Sequence, residues 1–123
     1  MLLDTSAWIE FFIGSPEGRQ VRKVLEEQDC YTSMGSLAEI TDWAIKEEED
    51  ALYLIKTVKQ LSTIIVIDED IAVLAGRLNN ERKKTVKKWG MLDSFILATG
   101  TLYGLKILTK DRDFRDLPDV TIL

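Results

Sequence analysis

Residues 91–114 read MLDSFILATGTLYGLKILTKDRDF and give the strongest indication of the fold. Its pattern predicts an apolar helix that begins close to Asp93, a turn at Gly104 and a short strand. Two more acids, Asp111 and Asp113, follow that strand directly. In an α/β sheet, ligands usually bind at the loops that leave the carboxyl ends of strands. We therefore expect this part of the chain to contribute acids to a binding site.

Short apolar or β-branched runs alternate with helical patterns along the rest of the chain. This alternation predicts a mainly parallel sheet with helices on both faces, a three-layer α/β/α architecture. The predicted strands cover residues 1–3, 30–33, 63–67, 106–109 and 120–123. A length of 123 residues suits one domain, and no linker or repeat divides the chain. We expect a single domain over residues 1–123.

The residue types that are missing restrict the chemistry. The chain has no histidine and one cysteine, Cys30, which excludes Ser-His-Asp triads, imidazole-based ribonuclease chemistry and zinc sites made of cysteine alone. Carboxylates remain, and they favour hard cations such as Mg²⁺ and Mn²⁺. A net charge of −5 argues against a protein that coats nucleic acid. It does not exclude a nuclease whose metal supplies positive charge.

Three features predict a cytoplasmic protein without membrane contact. No apolar run approaches the ~20 residues that a membrane helix needs. No basic region precedes Asp4, so we expect no signal peptide. The lone Cys30 cannot form an internal disulfide, which agrees with a reducing compartment.

Four acids are expected to meet at one edge of the sheet. Taken singly, each has an ordinary explanation: Asp4 as a helix N-cap, Glu39 as the end of a Ser36–Glu39 capping box, and Asp93 as an acid in a first helical turn. Asp111 alone suits a turn. However, helices that directly follow parallel strands begin at the edge where those strands end. Clustered carboxylates repel one another unless a cation binds among them, so the set predicts a metal site.

The ordered motifs resemble those of the PIN domain. They read Leu3-Asp4-Thr5-Ser6, then Ser-Leu-Ala-Glu at 36–39, then DSFILAT at 93–99 and LTKDRDF at 108–114. In size the chain is most similar to the VapC-type toxins of prokaryotic toxin–antitoxin pairs. The resemblance implies a PIN-like fold and a Mg²⁺- or Mn²⁺-dependent endoribonuclease that hydrolyses RNA phosphodiesters. It also implies a homodimer that is held inactive by a cognate antitoxin protein.

Carried over by motif, the resemblance assigns site roles. The catalytic acids would be Asp4, Glu39, Asp93 and Asp111. The metal ligands would be Asp4, Asp93, Asp111 and Asp113, and sequence does not rank Asp111 against Asp113. Ser6 and Thr109 resemble the small hydroxyl residues that line the family's site and are expected to contact the substrate.

The only basic cluster lies at 82–88 and consists of Arg82, Lys83, Lys84, Lys87 and Lys88. We expect it to steer RNA toward the acids, with Lys83, Lys84 and Lys87 as substrate-binding residues. A solvated helix end would have the same composition.

Two other functions are compatible with parts of the sequence. A receiver-type signalling domain would use Asp68 as its phosphorylated residue and Lys110 as its lysine, but it leaves Glu39 and Asp93 without a role. A catalytically inactive PIN-like binding module would keep the fold, but the full set of acids argues against it.

Overall fold

Five parallel strands form one sheet in the order β3-β2-β1-β4-β5. The computed structural model describes residues 1–123. The strands are β1 (Leu2–Leu3), β2 (Tyr31–Ser33), β3 (Thr63–Ile65), β4 (Ile107–Thr109) and β5 (Val120–Ile122). The predicted parallel α/β/α architecture is confirmed. All five strands are shorter than predicted, by two residues for the strand expected at 63–67 and by one residue for each of the others.

Six α-helices connect these strands, and a short 3₁₀ helix covers Arg112–Phe114. The α-helices are α1 (Thr5–Ile13), α2 (Pro16–Glu27), α3 (Met34–Lys46), α4 (Ala51–Leu61), α5 (Glu69–Arg82) and α6 (Met91–Tyr103). No helix has the length and apolar character needed to cross a membrane.

Neighbouring residues of the central strands pack into cores on opposite faces of the sheet. In β1, Leu3 packs with residues of α1 to α4, whereas Leu2 packs with residues of α6. In β4, Leu108 and Ile107 divide in the same way. Side chains alternate across a strand, so strands this short still bury apolar surface on both faces. This alternation produces the three layers.

The pairing of β1 with β4 sets the site, because it places two strand ends side by side. Leu2 is opposite Ile107 and Leu3 is opposite Leu108. The Asp4 amide then donates to the carbonyl of Leu108 over 2.9 Å. Asp4 and the loop after Thr109 therefore leave the sheet at the same edge.

Most helix starts follow the sequence signals, but the start of α3 does not. Asp4 caps α1 as expected, and Ser15 and Asp68, residue types that favour this position, cap α2 and α5. The predicted Ser36–Glu39 capping box is wrong, because β2 passes directly into α3 and Ser33 caps it by accepting from the Gly35 amide over 3.2 Å. Glu39 consequently lies in the second turn of α3 and is not occupied as a cap.

Helix α6 lies unusually close to β4 at Gly100. A Cβ added there would be 3.1 Å from the Ile107 side chain and 3.2 Å from the carbonyl oxygen of Leu105. A Cβ at this position would require its neighbours to shift by a few tenths of an ångström, which favours glycine here inside an otherwise good helical sequence. Helix α6 therefore packs closely against Ile107 of β4 at this point.

Candidate active site

Asp4 lies at the centre of the acidic cluster and is 7% exposed. Its Oδ1 accepts from the Thr5 amide over 2.8 Å. Its Oδ2 accepts from the Thr109 hydroxyl over 2.8 Å and from the Ser6 hydroxyl over 3.0 Å. Three donors therefore hold a buried carboxylate in one orientation, which goes beyond what an N-cap requires.

Thr109 and Ser6 connect Asp4 to the loop that follows β4. The Thr109 hydroxyl accepts from the Asp111 amide over 2.9 Å, and the Ser6 hydroxyl accepts from the Lys110 amide over 2.9 Å. Asp111 in turn accepts from the Asp113 amide over 2.9 Å. The hydroxyls predicted to contact substrate thus use their hydrogen bonds to orient the acids and the loop.

Glu39 and Asp93 approach Asp4 from two different helices. The Thr5 hydroxyl donates to Glu39 Oε1 over 2.7 Å, which joins the second turn of α3 to the first turn of α1. The Gly90 amide donates to Asp93 Oδ2 over 2.9 Å and sets Asp93 at the N-terminus of α6. The four acids predicted to be catalytic are therefore carried by four separate elements that meet at one edge.

The acids influence one another electrostatically. Burial raises the pKa of Asp4 and outweighs its hydrogen bonds, and the charge of Glu39 raises it further. Burial also raises the pKa of Glu39, with a contribution from the charge of Asp93. Burial raises the pKa of Asp93 to about 6, and the charges of Asp4, Asp111 and Asp113 add to the shift. Burial and neighbouring negative charges therefore both disfavour the ionised form of each of these carboxylates.

The donor set suits a hard divalent cation, although the side chains do not enclose one in this structure. No three acidic side chains are close enough to hold a single ion. Nevertheless the available donors are carboxylate oxygens, which Mg²⁺ and Mn²⁺ prefer. Burial raises the pKa of Asp93, and repulsion from Asp4, Asp111 and Asp113 adds to the shift; a cation would relieve that repulsion. Asp4, Asp93, Asp111 and Asp113, with Glu39, are the residues that would hold it.

An ion pair beside the cluster has no counterpart in the predictions from sequence. Lys110 Nζ lies 2.9 Å from Oε1 of Glu10, a buried acid on α1. Glu10 has no motif around it and looks like an ordinary helical residue, so no local signal identifies it. The pair ties the β4 loop to α1 next to Ser6.

The alternative of a receiver-type domain is wrong. Asp68 follows edge strand β3, and β2 and β1 lie between β3 and β4. Three strand spacings amount to about 14 Å, and Lys110 is paired with Glu10. Asp68 itself accepts from the Ile71 amide over 2.9 Å as the cap of α5.

The basic cluster divides into three parts. Arg82 is 9% exposed and bound to Asp116, so it is not part of a solvated basic face. Lys87 and Lys88 line a cleft of about 380 Å³ together with Asp113 and Arg115. Lys83 and Lys84 form the third part: Lys83 is the exposed C-cap of α5, and Lys84 lines a separate depression along that helix. Lys87 and Lys88 are thus the lysines that share a cleft with a member of the acidic cluster.

The family model of the PIN domain matches residues 1–120. The chain belongs to the PIN domain family.

Individual relatives agree with this assignment along the whole chain. Ribonuclease VapC11 of Mycobacterium tuberculosis is 29% identical over 128 residues, which cover 100% of this chain and 95% of that protein. A toxin–antitoxin complex from Klebsiella pneumoniae matches with a TM-score of 0.78 at 28% identity, covering 98% of this chain and 94% of that one. VapC20 of Mycobacterium tuberculosis, a sarcin-ricin loop cleaving toxin, shares the fold with a TM-score of 0.77 at 14% identity, covering 95% and 94%.

The raised pKa of Asp93 leads to a stability test that needs no substrate. The folded state holds the Asp93 proton up to a pH of about 6, whereas the ordinary value is 3.8. Metal-free stability should therefore fall as pH rises through this window. Asp93→Asn keeps the acceptor for the Gly90 amide and removes the charge. It should stabilise the protein at pH 7 by about 1 kcal/mol, allowing for the screening of a half-buried group.

Urea unfolding in EDTA at pH 4 and pH 7 measures the effect. The gain from Asp93→Asn should be present at pH 7 and small at pH 4. Asp68→Asn is the matched control, since it alters an acid that caps a helix outside the cluster, and it should cost a few tenths of a kcal/mol at pH 7. If Asp93→Asn behaves like Asp68→Asn, then Asp93 is a helix-terminal acid and nothing more.

Proposed function

We propose that this chain is a Mg²⁺- or Mn²⁺-dependent endoribonuclease and acts as the toxin of a toxin–antitoxin pair. The observation that carries the proposal is the buried Asp4 carboxylate, which three donors fix at the meeting point of the acid-bearing elements. The relatives named above include a ribonuclease and a toxin that cleaves the sarcin-ricin loop. The proposed substrate class is therefore RNA, encountered in the cytoplasm.

The proposed chemistry is hydrolysis of a phosphodiester. The bound cation would supply an activated water and neutralise charge on the phosphate. The residues of the chain contribute orientation: Thr109 and Ser6 fix the Asp4 carboxylate, and Thr5 fixes Glu39. Because the chain contains no histidine, proton transfer near neutral pH would fall to water and to the carboxylates. A catalytically inactive binding module gains no support, since every acid of the motif set is present at the site.

We also propose two protein partners, an antitoxin and a second copy of this chain. The comparison with the toxin–antitoxin complex from Klebsiella pneumoniae supports a cognate antitoxin protein. We further propose a homodimer, as the resemblance implies, which sedimentation analysis of the purified chain would test.

RNA cleavage should require the metal and the acids. Purified protein should cleave RNA in the presence of Mn²⁺ or Mg²⁺ and lose this activity in excess EDTA. Asp4→Asn should lower the rate at least about 100-fold, the upper end of what loss of an outer-shell partner costs a metal site. Asp68→Asn, which changes a capping acid outside the site, should remain active. Undiminished cleavage in EDTA would contradict the metal mechanism, and an active Asp4→Asn protein would leave Asp4 as an N-cap only.

The lysines should differ in their contribution to RNA binding. The double substitution of Lys87 and Lys88 by Ala should weaken binding of single-stranded RNA to the Mn²⁺-free protein. It should also reduce the salt dependence by about 0.7 log unit per lost phosphate contact. The matched double substitution of Lys83 and Lys84 removes the same charge and should have a smaller effect, because neither lines the cleft beside Asp113. Equal slopes for the two variants would indicate general electrostatic attraction instead of a defined path.

The toxin role predicts a growth phenotype that depends on the acids. Induced expression in a bacterial host should arrest growth, and Asp93→Asn should abolish the arrest at equal protein levels. Coexpression of a small protein encoded beside this chain, where one is found, should restore growth and yield a complex that copurifies with the wild-type protein. Normal growth during accumulation of a protein that cleaves RNA in vitro would argue for a housekeeping nuclease.

A further inference from the structure

The loop over residues 110–116 carries two of the acids, and side chains hold it at both of its ends. At the start, Lys110 forms the ion pair with Glu10. At the end, Asp116 forms an ion pair with Arg82 of α5. Each pair joins a buried side chain to an exposed one: Glu10 and Arg82 are 9% and 10% exposed, whereas Lys110 and Asp116 are 47% and 62% exposed. The second attachment differs from the first in that its buried member is a guanidinium, which can form several hydrogen bonds at once.

Arg82 contacts both the backbone and a side chain of this loop. Its Nη2 donates to the carbonyl oxygen of Asp113 over 2.7 Å. Nη2 and Nη1 also donate to the two carboxylate oxygens of Asp116, over 3.0 and 3.2 Å. A guanidinium that binds a carboxylate through two parallel hydrogen bonds fixes direction as well as distance. The position of the Asp113 backbone is thus tied to α5.

The same guanidinium is linked to the helix that carries Asp93. It stacks on the Trp89 ring, 4.2 Å from the ring centroid. The Trp89 indole donates to the hydroxyl of Ser94, the neighbour of Asp93, over 2.7 Å. Trp89 also packs against Phe114 of the loop, with 4.7 Å between ring centroids. Arg82 and Trp89 therefore connect the loop with the N-terminus of α6.

This use of a buried arginine is more specific than stability alone demands. Burying a charge costs free energy, and well-packed apolar groups often stabilise as well or better. Here the Nε of Arg82 is buried without a hydrogen-bond partner, so the side chain is not fully satisfied. Arginine has a planar guanidinium that forms several hydrogen bonds in fixed directions, which a lysine ammonium does not. The guanidinium of Arg82 contacts the loop that carries Asp113 and, through Trp89, the helix that carries Asp93.

We propose that Arg82 is a positioning residue. It holds Asp111 and Asp113, in the loop over residues 110–116, in the position relative to Asp93 that divalent-metal binding requires. The inference rests on the proposed function, because it concerns the cation of that site. It removes Arg82 from the set of RNA-steering residues and gives it a structural role directed at the acids. Arg82 touches neither metal nor substrate, and it acts through the Asp113 carbonyl and through Trp89.

Arg82→Lys tests the proposal, since lysine keeps the charge and loses the fork and the stacking. Calorimetric titration with Mn²⁺, well below the melting temperature, should show binding weakened about 10- to 100-fold. Amide hydrogens over residues 111–116 should exchange faster in EDTA. The rate of RNA cleavage at low Mn²⁺ should fall and should return at saturating Mn²⁺, with an unchanged KM for RNA. Arg22→Lys is the matched control, because Arg22 forms an exposed pair with Glu26 on α2, and it should change none of these quantities.

Asp116→Asn provides a second variant in case Arg82→Lys does not fold. It retains the bond to the Asp113 carbonyl and the stacking, and should weaken Mn²⁺ binding by a smaller factor. A lower melting temperature with unchanged Mn²⁺ affinity would overturn the proposal and leave Arg82 a purely stabilising residue. A raised KM for RNA that excess Mn²⁺ does not correct would overturn it in favour of substrate contact. If the wild-type chain neither binds Mn²⁺ nor cleaves RNA, the proposed function itself fails.

Discussion

The burial of the Asp4 carboxylate is the constraint on which the rest of the site depends. A buried charge is tolerated only when hydrogen bonds replace the lost water, and Asp4 obtains them from Thr5, Ser6 and Thr109. Two of these donors lie on α1, whereas the third comes from the end of β4. The parallel pairing of β1 with β4 brings these donors together. The order of the strands in the sheet is therefore what allows the Asp4 carboxylate to be buried with its hydrogen bonds satisfied.

Much of this arrangement could be predicted from sequence, because strand ends and helix caps are local signals. The pattern of β1, β4 and α6 placed Asp4, Asp93 and Asp111 at one edge, and the structure brings them there. The local signal misled at Ser36, whose capping-box pattern lies inside α3, since a strand that passes directly into a helix takes its cap one turn earlier. Asp111 and Asp113 stay unranked as ligands, because both lie beside Asp93.

Residues that depend on tertiary contacts were not recoverable from the pattern. Arg82 reads as one of five basic residues in a row of exposed positions, yet it is buried against Trp89 and Asp116. Glu10 reads as an ordinary helical acid, yet it is buried beside Lys110. The charged partners are distant in the chain, since Asp116 is 34 residues from Arg82 and Lys110 is 100 residues from Glu10. Neither residue type is usually found inside a protein. Many proteins share a fold but differ in the residues placed around the site. Arg82 and Glu10 are residues of that kind in this chain.

The hydrogen bond between Thr109 and Asp4 joins residues 105 positions apart in the chain, and this has a consequence for synthesis. Chains emerge from the ribosome N-terminal end first, and a contact between distant residues cannot form until both have been synthesised. A nascent chain exposes Asp4 early, yet it lacks β4, the neighbour that completes the centre of the sheet. The acids therefore assemble only when most of the polypeptide has been made. A polypeptide interrupted before β4 would have neither a closed central sheet nor a formed site, so the order of folding itself delays the appearance of any activity.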